Sequence, residues 1–299
     1  MDLAVRAIFE APTPAAMAAL LAGGAGERDP FGALLPLRTR GDAPPLFCLP
    51  PIAGLSWRYA GLLRALDPQV PVYALQSRGL TGEQPMPTGI EEMVADFADL
   101  IRSVWPHGPY HLLGWSFGAN LAHALAVELD RAGAQVGLLA ALDGYPAEPG
   151  RRDRSDEHLM LTDMFVEYSA RYDGDPVDPP GDDAALRAGI VDYLGRGHSE
   201  LRHLDTGQRA HVLDVLLNNA HAVLSYEPPA YSGDMLLVVA GHSKQGWATP
   251  EIWKTYVDGQ LAVHEVDCRH EDMMEPGPAD EICAVLRKRL ATPTGRVRR

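Results

Sequence analysis

The stretch Tyr110-His111-Leu112-Leu113-Gly114-Trp115-Ser116-Phe117-Gly118 leaves few folds open to this chain. Its apolar first half predicts a short strand. After it, Leu121, Ala124, Leu125 and Leu129 share one face of a helix that starts near Phe117, and Gly133 stands where a C-terminal cap is expected. Between strand and helix sits G-x-S-x-G. So sharp a turn forces the serine into a strained backbone conformation, and side chains at 114 or 118 would collide with the neighbouring strand and helix. The Ser116 hydroxyl then stands clear of the sheet. The amide of Phe117, at the positive end of a helix, can meet an oxygen that develops negative charge.

Three fixed positions recur by chance in a chain with 29 glycines, so the context must carry the pattern. Leu35–Arg40 and Pro45–Leu49 predict two strands joined by a turn at Gly41-Asp42. The second runs into Pro50-Pro51-Ile52-Ala53-Gly54. Trp57–Leu66 reads as helical, Val72–Gln76 as a strand, and Ile90–Trp105 as a helix through Ile90, Met93, Val94, Phe97, Leu100 and Ile101. Val136–Leu142 is a further apolar strand. Alternating strands and helices, with strands apolar throughout, argue for a mostly parallel sheet covered on both faces: the α/β-hydrolase fold, in which such a serine is the nucleophile elbow.

After Asp143 the alternation breaks. Residues 151–227 show no strand signal but have helical stretches near Glu157–Arg171, Ala184–Leu194 and Gln208–Leu224, which predicts a helical lid inserted over the site. Met235–Ala240, a helix near Pro250–Tyr256, Ala262–Val266 and a helix over Asp280–Leu290 complete the domain, which spans 34–290. Residues 1–24 form a short helical piece too small to bury its own core, 25–33 a linker, and 291–299 a disordered tail.

With 46% hydrophobic and 22% charged residues, the chain suits one sizeable domain plus an appendage. A formal net charge of −14 without a basic patch argues against nucleic acid as a partner. The three cysteines, Cys48, Cys268 and Cys283, form no CxxC and read as reduced, mostly buried thiols of a cytoplasmic protein. No apolar run reaches membrane-spanning length, and Arg6, Glu10 and two early prolines exclude a signal-peptide core. No His, Cys and carboxylate cluster has metal-site spacing, and no phosphate loop is present, so neither metal nor bound cofactor is expected.

A serine hydroxyl needs a positioned base, itself oriented by a carboxylate. Of the eleven histidines, His270 follows the last strand within a few residues, in Cys268-Arg269-His270-Glu271-Asp272-Met273-Met274. His242 comes one strand too early, and His198, His203, His211 and His221 belong to the lid. For the acid, the loop Gly241-His242-Ser243-Lys244 is empty, whereas Asp143 ends the strand Val136–Leu142. Asp272 is too near His270 in sequence. The order Ser116, Asp143, His270 fits the fold.

These residues together carry a resemblance. The chain resembles the thioesterase domains that end nonribosomal peptide synthetases, over about Leu35 to Leu290. The likeness rests on Pro45-Leu46-Phe47-Cys48-Leu49-Pro50-Pro51 with Gly54, on Gly114-Trp115-Ser116-Phe117-Gly118, on Leu142-Asp143 and on the Cys268–Met274 stretch. Phe47-Cys48 with Trp57 looks most like the siderophore-type members. The resemblance implies that the amides of Ile52 and Phe117 form the oxyanion hole; where many members have Gly-Gly, this chain has Ala53-Gly54. It implies an acyl substrate delivered on the phosphopantetheine arm of an upstream peptidyl carrier domain. Release would then follow by macrocyclisation or hydrolysis. Leu3–Thr13 looks like the end of such a carrier domain without its serine motif, so the chain would be a fragment of a longer synthetase. The rivals are a stand-alone esterase, an editing thioesterase, and a catalytically dead module that only docks a carrier.

Overall fold

The computed structural model describes residues 31–147, 156–196, 200–242 and 248–291. The helical piece expected at 1–24, most of the linker, the start of the insertion and the tail beyond 291 lie outside the described residues.

The strands are β1 (Leu34–Arg38), β2 (Leu46–Leu49), β3 (Val72–Leu75) and β4 (Tyr110–Trp115), then β5 (Val136–Leu142), β6 (Met235–Ala240) and β7 (Leu261–Val266). They form one seven-stranded sheet in the order β1-β3-β2-β4-β5-β6-β7. Every pairing is parallel except that of β1, which runs antiparallel to β3 at the edge. The two first strands stand where they were expected but do not pair, because β3 lies between them. Gly41, in the connection between them, takes φ +121° and lies so close to the loop before β3 that a Cβ there would fall 2.1 Å from the Gln69 carbonyl oxygen.

The apolar strands divide their side chains between two cores, as the period of two requires. On β4, Leu113 and Trp115 join one core and Tyr110 and Leu112 the other; on β5, Leu138, Ala140 and Leu142 oppose Leu139 and Ala141. Helices α1 (Ile90–Val104) and α2 (Phe117–Arg131) cover the second face. Burial of α2 extends well beyond the predicted stripe, from Phe117 through Val127, because α1 packs across its far side. The other face carries the segment Trp57–Arg64 and the C-terminal helix, α6 (Pro278–Leu290). Trp57–Arg64 and Pro250–Thr255 were expected as ordinary helices and are 3₁₀ helices instead. The first is pressed so tightly on the loop after β7 that a Cβ at Gly61 would lie 2.2 Å from the Met274 carbonyl oxygen.

Between β5 and β6 come α3 (Glu157–Asp173), α4 (Asp183–Leu194) and α5 (Thr206–Ser225), close to the predicted spans. Asp156, Asp182 and Asp205 cap them, the last in a full capping box with Gln208. The three helices build a core of their own from Leu161, Phe165, Leu186, Ile190, Leu213 and Leu217. Only α5 reaches further: Val212 and Val215 enter one main core and Ala222 the other. No helix among the described residues is long and apolar enough to cross a membrane.

Candidate active site

Parallel strands end together, so the loops after β2, β4, β5, β6 and β7 gather at one edge of the sheet, where open α/β sheets place their sites. Ser116 follows β4 at φ 58° and ψ −126°. Among the described residues, Ser116 and Asp143, at φ 44°, are the non-glycine positions with positive φ. Both are residues singled out from sequence. The flanking glycines meet the expected collisions. A Cβ at 114 would lie 1.9 Å from the Gly118 carbonyl oxygen, and one at 118 would lie 2.6 Å from that of Leu49. Helix α2 thus begins against the backbone of the Pro-rich loop. Phe117, its first residue, has an N–H with no helical acceptor.

Asp143 continues β5. Its amide donates to Val238 O at 2.7 Å, and the Ser116 amide donates to Leu142 O at 2.9 Å, so β4 and β6 clamp the acid loop from both sides. The Asp143 side chain is 3% exposed. Its Oδ1 accepts from the Ala240 amide at 3.3 Å and the Tyr145 hydroxyl at 3.4 Å, while Oδ2 faces His270 Nδ1 at 2.8 Å. Burial, with Asp143 beside it, raises the Tyr145 hydroxyl above its ordinary value, which keeps it a donor. A carboxylate only accepts, so Nδ1 carries the proton and Nε2 presents its lone pair.

His270 opens a short 3₁₀ turn after β7. The turn is held by Cys268 O, which accepts from the His242 amide at 3.0 Å. The imidazole lies 5.3 Å from the Trp115 ring, and the Arg58 guanidinium, 5.2 Å from the same ring, donates to Glu271 O at 2.8 Å. The structure therefore brings His270 and Asp143 into hydrogen bond and sets Ser116 at the neighbouring strand end. Ser116 is partly exposed, and its hydroxyl makes no hydrogen bond to His270 among the described residues. Such contacts are often long without substrate and tighten when it binds.

Burial pushes the Cys268 thiol, two residues before His270, up to about 11, so it is no competing nucleophile at neutral pH. All three cysteines are buried and unpaired. Among the described residues, no group of three or more His, Cys, Asp or Glu could hold a metal ion.

The loop after β2 forms a turn in which the Gly54 amide donates to Pro51 O at 2.8 Å. Ala53-Gly54 suits it, since Gly54 alone takes positive φ, +78°. Ile52 and Ala53 are the inner residues of this turn, and their amides have no acceptor among the described residues.

Sequence reasoning missed three groups. The Tyr59 hydroxyl, fully buried, donates to Leu49 O at 2.6 Å and accepts the Trp115 amide at 2.8 Å, joining the Pro-rich loop to the elbow. The Trp253 indole donates to Gly144 O at 2.9 Å, behind the acid. Asn219 of α5 donates to Ile52 O at 2.8 Å. None carries a local pattern, because each acts on chain distant in sequence.

A family model described as a thioesterase domain matches residues 44–290. The chain is 36% identical over 295 residues to a dimodular nonribosomal peptide synthase of Bacillus subtilis (strain 168), covering 97% of this chain and 12% of that protein. It is 29% identical over 261 residues to enterobactin synthase component F of Escherichia coli (strain K12), covering 87% of this chain and 18% of that protein. The chain thus spans less than a fifth of the length of these relatives. A solved four-domain nonribosomal peptide synthetase, with AMP and glycine bound, has the same fold at TM-score 0.77 and 22% identity, over 93% of this chain and 22% of that one.

Proposed function

The chain belongs to the thioesterase domain family, and on that premise we propose that it releases a peptidyl chain from the phosphopantetheine arm of an upstream carrier domain. The carrier would stand before this domain in a cytoplasmic synthetase, with Leu3–Thr13 as its last part.

Ser116 is the nucleophile. His270 Nε2 takes the hydroxyl proton as Oγ attacks the thioester carbonyl, and the tetrahedral oxyanion is received by the amides of Ile52 and Phe117. Each such donor contributes about 3–4 kcal/mol to the transition state. Asp143 holds the imidazole in the useful tautomer and stabilises its charged form. Collapse of the intermediate expels the pantetheine thiol, which takes the proton from His270, and leaves an acyl ester on Ser116. His270 then deprotonates either water, giving a linear acid, or a nucleophile of the peptide itself, giving a ring. Keeping water out and folding the peptide back fall to the helices between β5 and β6.

The observation that carries this reading is the 2.8 Å contact between His270 Nδ1 and a buried carboxylate, beside a serine in the strained elbow conformation. The test is mass analysis of the products from a panel of peptidyl thioesters, since a ring and its hydrolysed acid differ by one water. Wild-type chain should give an acyl adduct on Ser116 and Ser116→Ala none; stoichiometric acylation of the Ala variant refutes it.

A further inference from the structure

We propose that Asn219 is a positioning residue for the oxyanion loop, acting through the peptide between Ile52 and Ala53; this rests on the acyl-serine reading above. Asn219 lies on α5, is 1% exposed, and directs Nδ2 at Ile52 O at 2.8 Å and at Ser77 Oγ at 3.4 Å. The Ile52 carbonyl only accepts, so the amide nitrogen of Asn219 must face it. Its Oδ1 is buried with no partner among the described residues. Its Nδ2 ties α5 to the Ile52 carbonyl and, more weakly, to the Ser77 hydroxyl.

That carbonyl is not an isolated case. Leu49 O accepts from Tyr59, Pro51 O from the Gly54 amide, Ile52 O from Asn219, and Gly54 O from the Ser77 amide at 3.0 Å. These four carbonyls are engaged, while the N–H groups of Ile52 and Ala53 are free among the described residues. A turn arranged in this way is a cradle for negative charge. Its aim depends on two peptide planes. The trans peptide is planar, with C=O and N–H antiparallel, so a fixed carbonyl fixes the amide across the bond. Gly54 fixes the Pro51–Ile52 plane from within the loop. The Ile52–Ala53 plane, which carries the Ala53 amide, is held by Asn219 from a helix more than 160 residues away in sequence, so Ile52 is gripped on both sides and the aim of its own amide depends on both ties.

Helix α5 is a firm anchor. Val212 and Val215 sit in the main core, and Asn218 Nδ2 donates to Pro87 O at 3.2 Å. Val215 also lies so near the loop that a Cβ at Gly54 would come within 2.6 Å of its Cγ1. The consequence is a division within the insertion: its last helix belongs to the oxyanion machinery.

An alkyl fluorophosphonate tests this, because phosphonylation of the serine passes through the same oxyanion. The limiting rate of labelling and the half-saturating concentration are measured for the full chain, for Asn219→Leu, which keeps the volume without the donor, and for Asn219→Asp, which keeps the shape. The limiting rate should fall on the order of 10- to 100-fold in both, with half-saturation and the midpoint of the pH profile unchanged. A purely structural role would lower the melting temperature and leave the limiting rate alone. If Asn219→Leu does not fold, Asn219→Asp carries the measurement. Equal limiting rates in wild type and a folded variant, or a change confined to half-saturation, would overturn the proposal alone. A wild-type chain that is not labelled at Ser116 would overturn the acyl-serine reading and this inference with it.

Discussion

Ser116 and Asp143 occupy adjacent strand ends with the same unusual sign of φ, 58° and 44°, and the Ser116 amide is hydrogen-bonded to the carbonyl of the residue before Asp143. Strain of this kind persists only where surrounding hydrogen bonds over-determine it. Ser116 and Asp143, the proposed nucleophile and acid, are therefore fixed by one stretch of sheet, while His270 arrives from the next loop but one.

Asp143→Asn is expected to keep the fold and lose activity on the order of 10⁴-fold in kcat. The new amide can still accept from Ala240, but its NH₂ group facing Nδ1 selects the tautomer with the proton on Nε2. Steady-state kinetics with a thioester, beside a melting curve, checks both halves; an active variant would remove Asp143 from the mechanism.

Tyr59→Phe should cost about 1–3 kcal/mol of stability, because the Trp115 amide and the Leu49 carbonyl are left buried without their shared partner. Acylation should slow as well, since the elbow and the loop proposed to supply the second oxyanion amide lose their tie. Urea denaturation gives the first quantity and single-turnover labelling the second.

At Gly144, φ needs no glycine, yet a Cβ would fall 2.1 Å from the Ser116 carbonyl oxygen. Gly144→Ala is expected to destabilise by about 1–3 kcal/mol and to displace the elbow, lowering kcat more than it raises KM. Unchanged kinetics in a folded variant would show that the two loops can part without consequence.

Stability should fall as pH drops from 6.5 towards 4. Burial lowers His111 and His123 to about 4, against a weaker raising effect from backbone hydrogen bonds to Pro44 and Tyr256 respectively. In that window the unfolded chain binds a proton at each imidazole and the folded chain does not, so the unfolding free energy rises with pH. Each ring contributes about 3 kcal/mol across the window. Chemical denaturation at pH 7, 5.5 and 4.5 should show the slope, and His111→Gln or His123→Gln should flatten it.

The parts of the site that announce themselves in sequence are those with a local cause. The elbow is legible because Gly114 and Gly118 are required by contacts made within five residues or with the adjacent strand. Asp143 and His270 are legible because strand order limits where an acid and a base can stand. Tyr59 and Asn219 are not legible: the first is an apolar-looking position in a 3₁₀ turn, and the second is one polar residue among many in a helix whose function depends on what it crosses. The same reason hid the place of β3 between β1 and β2, since sheet order is decided by crossover packing rather than by either strand's own pattern. It also hid the double duty of α5, whose apolar residues do not say which of three cores each one enters.

That double duty separates two kinds of evolutionary freedom. The pair α3 and α4 packs on a cluster that it shares with α5 and that stands apart from the two main cores, whereas α5 also enters both of those. Under the proposed function, that pair can be lengthened, trimmed or exchanged at the cost of one local seam, and the choice of product would drift while the reaction itself is inherited unchanged. The helix that follows has no such licence.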